Sequence, residues 1–169
     1  MTAWTGPGAA RSGPGAFDEL FRRHRDRLWS VAVRTLGNAT DAEDAVQETF
    51  VAALRSDGFR GESDVGTWLH RILMNKCIDR MRRARPAPGP EPVAAHDPSG
   101  RVATRLVVGE ALAMLPPEQR AAVVLVDVDG RPVAEAARIL GVPQGTVKSR
   151  CARGRMRLAE LLGHLREEP

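Results

Sequence analysis

Apolar residues recur at intervals of three and four along most of the chain, which is the period of an α-helix with one buried face. The first such run extends from Phe17 to Leu36 and stops at Gly37 and Asn38, two residue types that end helices. Thr40 or Asp41 is expected to cap the start of a second helix. Its apolar stripe consists of Ala42, Ala45, Val46, Thr49, Phe50 and Ala53.

The same period predicts a third helix after a short loop, from near Thr67 to about Arg85. We expect its apolar sides to be formed by Ile72, Met74, Ile78 and Met81. A polar stripe along the same helix contains Arg71, Asn75, Asp79 and Arg82. The first half of the chain therefore predicts a three-helix region.

In the second half, prolines and glycines separate four further helical runs. These runs are expected at about 101–115, 117–129, 132–140 and 144–165. Gly141 supplies a tight turn between the last two. A short helix, a glycine turn and a longer helix with basic residues together predict a helix-turn-helix.

Two segments lack this period. Residues 1–15 mix Gly, Pro, Ala and Ser and are expected to form a disordered tail, because they cannot bury enough apolar surface to offset the entropy of ordering. Residues 86–100 are rich in proline, which favours an extended spacer. The predicted fold class is therefore all-α. Two small helical domains, 16–85 and 101–169, are joined by a Pro-rich linker, and the second contains the helix-turn-helix.

The composition agrees with a helical fold and argues against enzymatic chemistry. Hydrophobic residues make up 43% of the 169, but only 4% are aromatic, so the core must be built mainly from small aliphatic side chains. Cys77 and Cys151 give neither a disulfide framework nor metal-ligand spacing, which favours a reducing compartment. The four histidines have no metal-ligand companions, and no glycine-rich phosphate loop follows a strand. We therefore expect no catalytic residue, metal or cofactor.

Positive charge is concentrated in two segments, although the formal net charge is only +4. The first segment is opposed only by Asp79 and contains Arg71, Lys76, Arg80, Arg82, Arg83 and Arg85. The second is opposed by no acidic residue and contains Lys148, Arg150, Arg153, Arg155 and Arg157. Two basic helices in two linked domains suit two separated stretches of a phosphate backbone. The alternative is that both are solvated helix surfaces.

Four motifs with specific sequences follow one another along the two domains. They are DAEDAVQETF at 41–50, FRGES followed by TWLHRILMNKCID within 59–79, LPPEQR at 115–120, and GVPQGTVKSRCARGRMRL at 141–158. In this order, with a proline linker between the second and third, they resemble the extracytoplasmic-function sigma factors of bacterial RNA polymerase. The resemblance covers nearly everything after the tail.

The resemblance implies three groups of site residues. The first group matches the family positions that dock on the clamp helices of the polymerase β′ subunit, and it consists of Asp44, Gln47 and Glu48. The second group matches the family's loop that captures a flipped base of the minus-10 element, together with the adjoining helix. It consists of Phe59, Arg60, Gly61, Ser63, Arg71 and Asn75. Those that match the helix entering the major groove at the minus-35 element are Lys148, Ser149, Ala152, Arg153 and Arg155. For Phe59, a core contact that only holds the loop is an equal alternative.

The implied partners are core RNA polymerase, through the β′ clamp helices and the β subunit, promoter DNA, and an anti-sigma factor. The implied place of action is the cytoplasm, with no direct membrane insertion and no cofactor. The sequence departs from the family where Gly130, Arg131, Pro132 and Val133 replace an aromatic residue or a Ser-Tyr pair before the short helix, and where Val126 replaces a basic residue. Promoter preference therefore cannot be transferred from the family.

Two other classes of function compete with this interpretation. An enzyme lacks support for the reasons given above. A stand-alone helix-turn-helix regulator would need a ligand pocket or a dimerisation surface in the first domain, and the Ala-rich three-helix region offers little room for either. A regulator binds its operator unaided, whereas a sigma factor should bind its promoter only together with core polymerase.

Overall fold

The computed structural model describes residues 14–56, 59, 64–84 and 101–166, and within these ranges all regular structure is helical. The helices are α1 (Pro14–Leu36), α2 (Ala39–Arg55), α3 (Val65–Arg83), α4 (Arg101–Ala113), α5 (Pro117–Val123), α6 (Val133–Leu140) and α7 (Gln144–Arg166). A π-helical segment, Val124–Val128, continues α5. The predicted all-α fold with a helix-turn-helix in its second half is confirmed.

Some sequence predictions concern residues outside these ranges. The predicted tail as far as residue 13 and the predicted linker 86–100 lie outside the described residues. So do Arg60, Gly61 and Ser63 of the predicted base-capturing loop. Within the described part, α1 begins at Pro14, two residues before the predicted start of the first domain.

Side-chain caps set the starts of α2 and α3. The Asn38 Oδ1 atom accepts a hydrogen bond from the Asp41 backbone N–H at 2.7 Å. Asn38 is therefore the cap of α2, which begins at Ala39, and the predicted cap at Thr40 or Asp41 is wrong. The Asp64 carboxylate accepts from the backbone N–H groups of Gly66 and Thr67, at 3.0 and 3.4 Å. This cap starts α3 at Val65 instead of near Thr67.

The core of the first domain, which comprises α1 to α3, lies between the facing sides of these helices. All six residues of the predicted α2 stripe are buried. The Phe50 ring lies 4.6 Å from that of Phe21 and 6.0 Å from that of Phe17, measured between centroids. Of the predicted apolar sides of α3, Met74 is buried, Ile72 and Ile78 are half-buried and pack against the core, and Met81 is half-buried. The residues that α3 buries are Gly66, Thr67, Leu69, His70, Leu73, Met74 and Cys77.

The second domain comprises α4 to α7, and its helices pack tightly around the helix-turn-helix. Gly141 adopts φ +64°, ψ +35° after α6, a left-handed conformation that favours glycine. Val147, Cys151 and Gly154 form a buried stripe along α7, at intervals of four and three residues. A Cβ atom on Gly154 would lie 2.6 Å from Val123 Cγ2, so α5 and α7 approach closely at this point.

The two domains pack against each other, which the sequence did not predict. Helix α3 contacts α5 and α6, and α1 contacts α4. Arg120 of α5 donates from Nη1 to the Thr35 carbonyl oxygen of α1 at 3.0 Å. Arg82 of α3 donates from Nε to Glu118 Oε1 at the start of α5, also at 3.0 Å. As a result, α6 and the helix-turn-helix turn lie beside α3.

Candidate polymerase and nucleic-acid interfaces

One side of α2 is turned away from the core and carries the predicted polymerase-binding residues. Asp44, Gln47 and Glu48 are all exposed. Val51 and Leu54 lie one and two helical turns further along and are 44% and 48% exposed. We call these five residues the α2 outer face. The two apolar members were missed, although their positions off the buried stripe would have identified them.

The acidic part of the α2 outer face is also joined to α3. Arg80 of α3 donates from Nη2 to Glu48 Oε1 at 2.5 Å, and its Nη1 lies 3.5 Å from Asp41 Oδ1. The Glu48 carboxylate remains 48% exposed. It can therefore still accept a hydrogen bond from an incoming partner, while Arg80 limits where it can point.

The predicted minus-10 residues that the structure describes lie along one side of α3. Arg71 and Asn75 are exposed and one helical turn apart. The half-buried ring of Phe59 contacts Trp68, with centroids 5.6 Å apart and planes inclined by 58°. Trp68 is an aromatic residue that sequence reasoning did not select, although it is in the same motif. The structure places Phe59 against a helix side chain, which leaves both interpretations of this residue open.

This side of α3 forms one wall of a cleft of about 860 Å³ between the two domains. The first-domain wall includes Phe59, Trp68, Arg71 and Asn75. The opposite wall comes from α6 and the helix-turn-helix turn and includes Ala134, Ala137, Arg138, Gly141, Val142, Pro143 and Gln144. Arg71 is close to that turn, since a Cβ on Gly141 would lie 3.5 Å from its Nη2 atom.

The first half of α7 carries the predicted minus-35 residues. Lys148, Ala152 and Arg153 are exposed. Ser149 is half-buried, and its hydroxyl donates to the Thr146 carbonyl oxygen at 3.0 Å. The exposed members share one side of the helix, with Val147 and Cys151 buried behind them. This arrangement presents two cations separated by small side chains.

Arg155 differs from the other predicted minus-35 residues because it is held by an acidic neighbour. Its Nε atom donates to Asp127 Oδ2 at 3.0 Å and its Nη2 atom to Asp127 Oδ1 at 2.8 Å. Asp127 belongs to the π-helical segment. The hydrogen bonds to Asp127 raise the pKa of Arg155 above its ordinary value, so this side chain is a fixed cation.

A buried polar cluster connects the domains beside the cleft. The Arg131 side chain is 5% exposed and donates to the carboxylates of Asp129 and Glu135 and, from Nη2, to His70 Nε2 at 2.9 Å. The other ring nitrogen of His70 lies 2.7 Å from the Gly66 carbonyl oxygen. Burial, followed by the charge of Arg131, lowers the pKa of His70 to about 4. The imidazole is therefore neutral at ordinary pH.

The two cysteines are buried in the domain cores, Cys77 in the first and Cys151 in the second. Burial raises the pKa of Cys77 to about 12 and also raises that of Cys151, so neither is a thiolate near neutral pH. Over the described residues, no group of three or more His, Cys, Asp and Glu side chains is placed to hold a metal ion. No helix in that part of the chain is both long and apolar enough to cross a membrane.

Comparison with known proteins assigns both domains. Residues 20–86 match the family model for sigma-70 region 2, and residues 105–158 match that for sigma-70 region 4. The ECF RNA polymerase sigma factor SigM of Mycobacterium tuberculosis is 50% identical over 154 residues, which is 89% of this chain and 79% of that protein.

Solved structures agree with this assignment. The structure of CnrH in complex with the cytosolic domain of CnrY superposes with a TM-score of 0.68 at 32% identity, over 90% of each chain. The sigma factor RpoE of Bartonella quintana, in complex with the anti-sigma factor NepR, superposes with a TM-score of 0.66 at 29% identity, over 88% of this chain and 98% of that one. The chain belongs to the extracytoplasmic-function family of RNA polymerase sigma factors.

Proposed function

We propose that this sigma factor binds core RNA polymerase through the α2 outer face and directs initiation at promoters read by α3 and α7. The observation that carries this proposal is the α2 outer face itself. Three exposed acidic or amide side chains adjoin exposed Val51 and Leu54, opposite a fully buried stripe. This combination suits a basic helix of another protein, since charge complementarity orients the partner and apolar contact adds affinity. A stand-alone DNA-binding regulator would not need it.

The proposed role of α3 is to hold the melted minus-10 strand. Taking a base out of the stack costs a few kcal/mol, which the protein must return by enclosing the base and pairing its edge. The exposed Asn75 amide has both donors and an acceptor for a base edge. The Phe59 and Trp68 rings offer stacking surface nearby. Arg60, Gly61 and Ser63 would complete the enclosure, and Arg71 would contact a phosphate.

The proposed role of α7 is to read the minus-35 element in the major groove. Lys148 and Arg153 are exposed cations on the side of the helix that faces away from the core. Small side chains at Ser149 and Ala152 allow the helix backbone to approach the base edges. Because Arg155 is bound to Asp127, its contribution would be weaker than that of Arg153.

The remaining proposals concern partners and place. The relatives CnrH and RpoE have been solved with bound partner proteins, which supports an anti-sigma factor as a partner of this chain. A polymerase subunit of this kind acts in the cytoplasm. The chain would carry out recruitment and strand separation, and the polymerase would supply the nucleotidyl-transfer chemistry.

Run-off transcription with purified core polymerase on a genomic promoter library tests this function. We expect transcripts from a restricted set of promoters only when the chain and the core enzyme are both present. A gel-shift assay with the chain alone should give no specific complex. A specific shift by the chain alone, without any effect on transcription by core polymerase, would instead support the helix-turn-helix regulator.

A further inference from the structure

Arg131 is the centre of a buried hydrogen-bond network that spans both domains. Two of its acceptors, Asp129 and Glu135, belong to the same domain and hold the guanidinium in place. Its third acceptor is His70 Nε2, on α3 of the other domain. For His70 Nε2 to accept, the ring proton must be on Nδ1, and the Gly66 carbonyl oxygen 2.7 Å away accepts that proton. The geometry therefore requires a neutral His70.

The charged side chains that act on His70 are Arg131, Asp129 and Arg27. The Nη2 atom of Arg27, on α1, lies 3.8 Å from the Oδ2 atom of Asp129. Together with Arg131, Asp129 and Glu135, Arg27 makes a set of two positive and two negative side chains. Burial leaves Arg131 and Asp129 only 5% and 11% exposed. A proton on His70 Nε2 would add a positive charge to this balanced set. It would also place two N–H donors, on His70 Nε2 and Arg131 Nη2, opposite each other.

Closure of the cleft is incompatible with promoter engagement as proposed above. Asn75 of α3 and Gln144 at the start of α7 line the same cleft. The minus-10 and minus-35 positions are separated by roughly 25 base pairs, or on the order of 80 Å of duplex at about 3.4 Å per base pair. Promoter binding as proposed therefore requires the two domains to separate.

We propose that Arg131 and His70 form a latch that holds the two domains in this closed, promoter-incompetent form, and that protonation of His70 opens it. The inhibitory consequence rests on the proposed DNA-binding roles of α3 and α7. The latch itself rests only on the interdomain geometry.

The pKa of His70 gives the direction of the acid response. It is about 4 in the closed form, and an exposed histidine titrates near 6.5. The closed form is thus fully favoured above pH 6.5 and loses stability as the pH falls from 6.5 towards 4. At pH 5.5, linkage between these two values lowers the closed-to-open ratio by up to about tenfold. The pKa of His24 on α1 is also lowered by burial, so this residue must be controlled for.

Small-angle X-ray scattering of the full chain at pH 7.5 and pH 5.5 tests the latch, with circular dichroism to verify that helix content is retained. The wild-type chain should be compact at pH 7.5 and more extended at pH 5.5. His70→Phe, which removes the acceptor, should be extended at both pH values. Arg131→Lys keeps the charge beside Asp129 and Glu135 but cannot bridge all three acceptors, so it should be extended at pH 7.5.

Two further variants separate the latch from general effects. His70→Gln keeps an acceptor but does not titrate, and it should stay compact at both pH values even though His24 is intact. Glu118→Gln removes an exposed interdomain ion pair, with Arg82 58% and Glu118 31% exposed, and should behave like the wild type.

Compact scattering by both His70→Phe and Arg131→Lys at pH 7.5 would overturn the latch. Acid opening of His70→Gln equal to that of the wild type would overturn the role of His70 protonation. Competition with a reference sigma factor for core polymerase is measured separately on the same variants at pH 7.5. If the wild-type chain does not bind core polymerase, the proposed function is contradicted, whereas the scattering result is unaffected.

Discussion

The guanidinium of Arg155 makes paired hydrogen bonds to both carboxylate oxygens of Asp127, at 3.0 and 2.8 Å. This contact ties the middle of α7 to the π-helical segment that follows α5. The paired N–H donors of a planar guanidinium fit a carboxylate in this way, and a guanine edge or a phosphate would require the same donors. Arg155 must therefore leave Asp127 before it can use its Nε and Nη2 donors on DNA.

Freeing Arg155 should strengthen DNA binding by the holoenzyme. We expect Asp127→Asn to raise affinity for minus-35 DNA and to steepen the salt dependence by up to about one unit, because one more cation becomes available to a phosphate. Arg155→Ala should weaken binding less than Arg153→Ala. Fluorescence anisotropy across a salt titration measures both. In the variant that combines Asp127→Asn with Arg155→Ala, the gain in affinity should vanish. A gain that persists would mean that removal of the negative charge of Asp127 is enough to strengthen DNA binding.

The close approach of α5 and α7 at Gly154 should make this position intolerant of any side chain. Gly154→Ala places a Cβ 2.6 Å from Val123 Cγ2, and overpacking of this kind costs about 1–3 kcal/mol. Gly163→Ala on the same helix meets nothing within 4 Å and should stabilise the protein by up to about 1 kcal/mol through helix propensity. Urea unfolding of both variants tests the contrast. Equal effects would mean that α7 shifts away from α5 without cost.

The accuracy of the sequence predictions depended on how many neighbours each helix has. Helix α2 packs on one side only, so its apolar period identified all six buried residues. Helix α3 contacts α1 and α2 on one side and α5 and α6 on another. Its half-buried Ile72 adjoins the cleft, while Leu69 and Leu73 enter the first-domain core. Apolar residues on several sides give no single period from which the buried side can be chosen.

Contacts between the domains could not be predicted from local pattern. His70 and Arg131 are 61 residues apart, and a Pro-rich segment lies between them. In the sequence, His70 is only one of four histidines without metal-ligand companions, and Arg131 is only a departure from a family motif. Periodicity assigns residues to faces of one helix, but it carries no information about which face meets another domain. The predicted site residues on α2, α3 and α7 are exposed where the structure describes them, except for the half-buried Ser149, because exposure follows from the same period.

Loss of the polar part of the α2 outer face should remove polymerase binding and leave the fold intact. We expect Gln47→Ala with Glu48→Ala to abolish competition with a reference sigma factor for core enzyme, since both side chains are exposed. Glu48 also loses its ion pair with Arg80, so the matched control is Glu19→Ala, which breaks the exposed pair with Arg22 on α1. The control should compete normally. Unchanged competition by the double variant would contradict the assignment of this face.

Asn75 should matter for strand separation and little for recruitment. Asn75→Ala is expected to spare core binding and minus-35 engagement but to impair open-complex formation, because an unpaired base edge costs about 1–3 kcal/mol. Permanganate footprinting reports the melted thymines. On a pre-melted bubble the defect should shrink, since the cost of opening is already met. A normal footprint, or an equal loss on the bubble, would indicate that Asn75 is purely structural.

Lys148 and Arg153 are both exposed on α7, but we expect them to read DNA differently. A planar guanidinium can contact a guanine edge with two hydrogen bonds, whereas an ammonium acts as a point charge. Lys148→Ala should therefore weaken binding of all distal-element sequences alike and lower the salt slope by about one unit. Arg153→Ala should cost roughly 1–3 kcal/mol at one base position and relax the preference there.

Salt titration of the holoenzyme on a panel of distal-element substitutions distinguishes the two patterns. Both variants should retain core affinity and should melt a promoter that lacks the distal element, because α7 lies in a different domain from α2 and α3. The α7 residue Glu160, which is exposed about two turns beyond Arg153, provides a matched control through Glu160→Gln. It should not weaken binding to any template. If Lys148→Ala and Arg153→Ala also bind every template like the wild type, α7 does not contact the promoter.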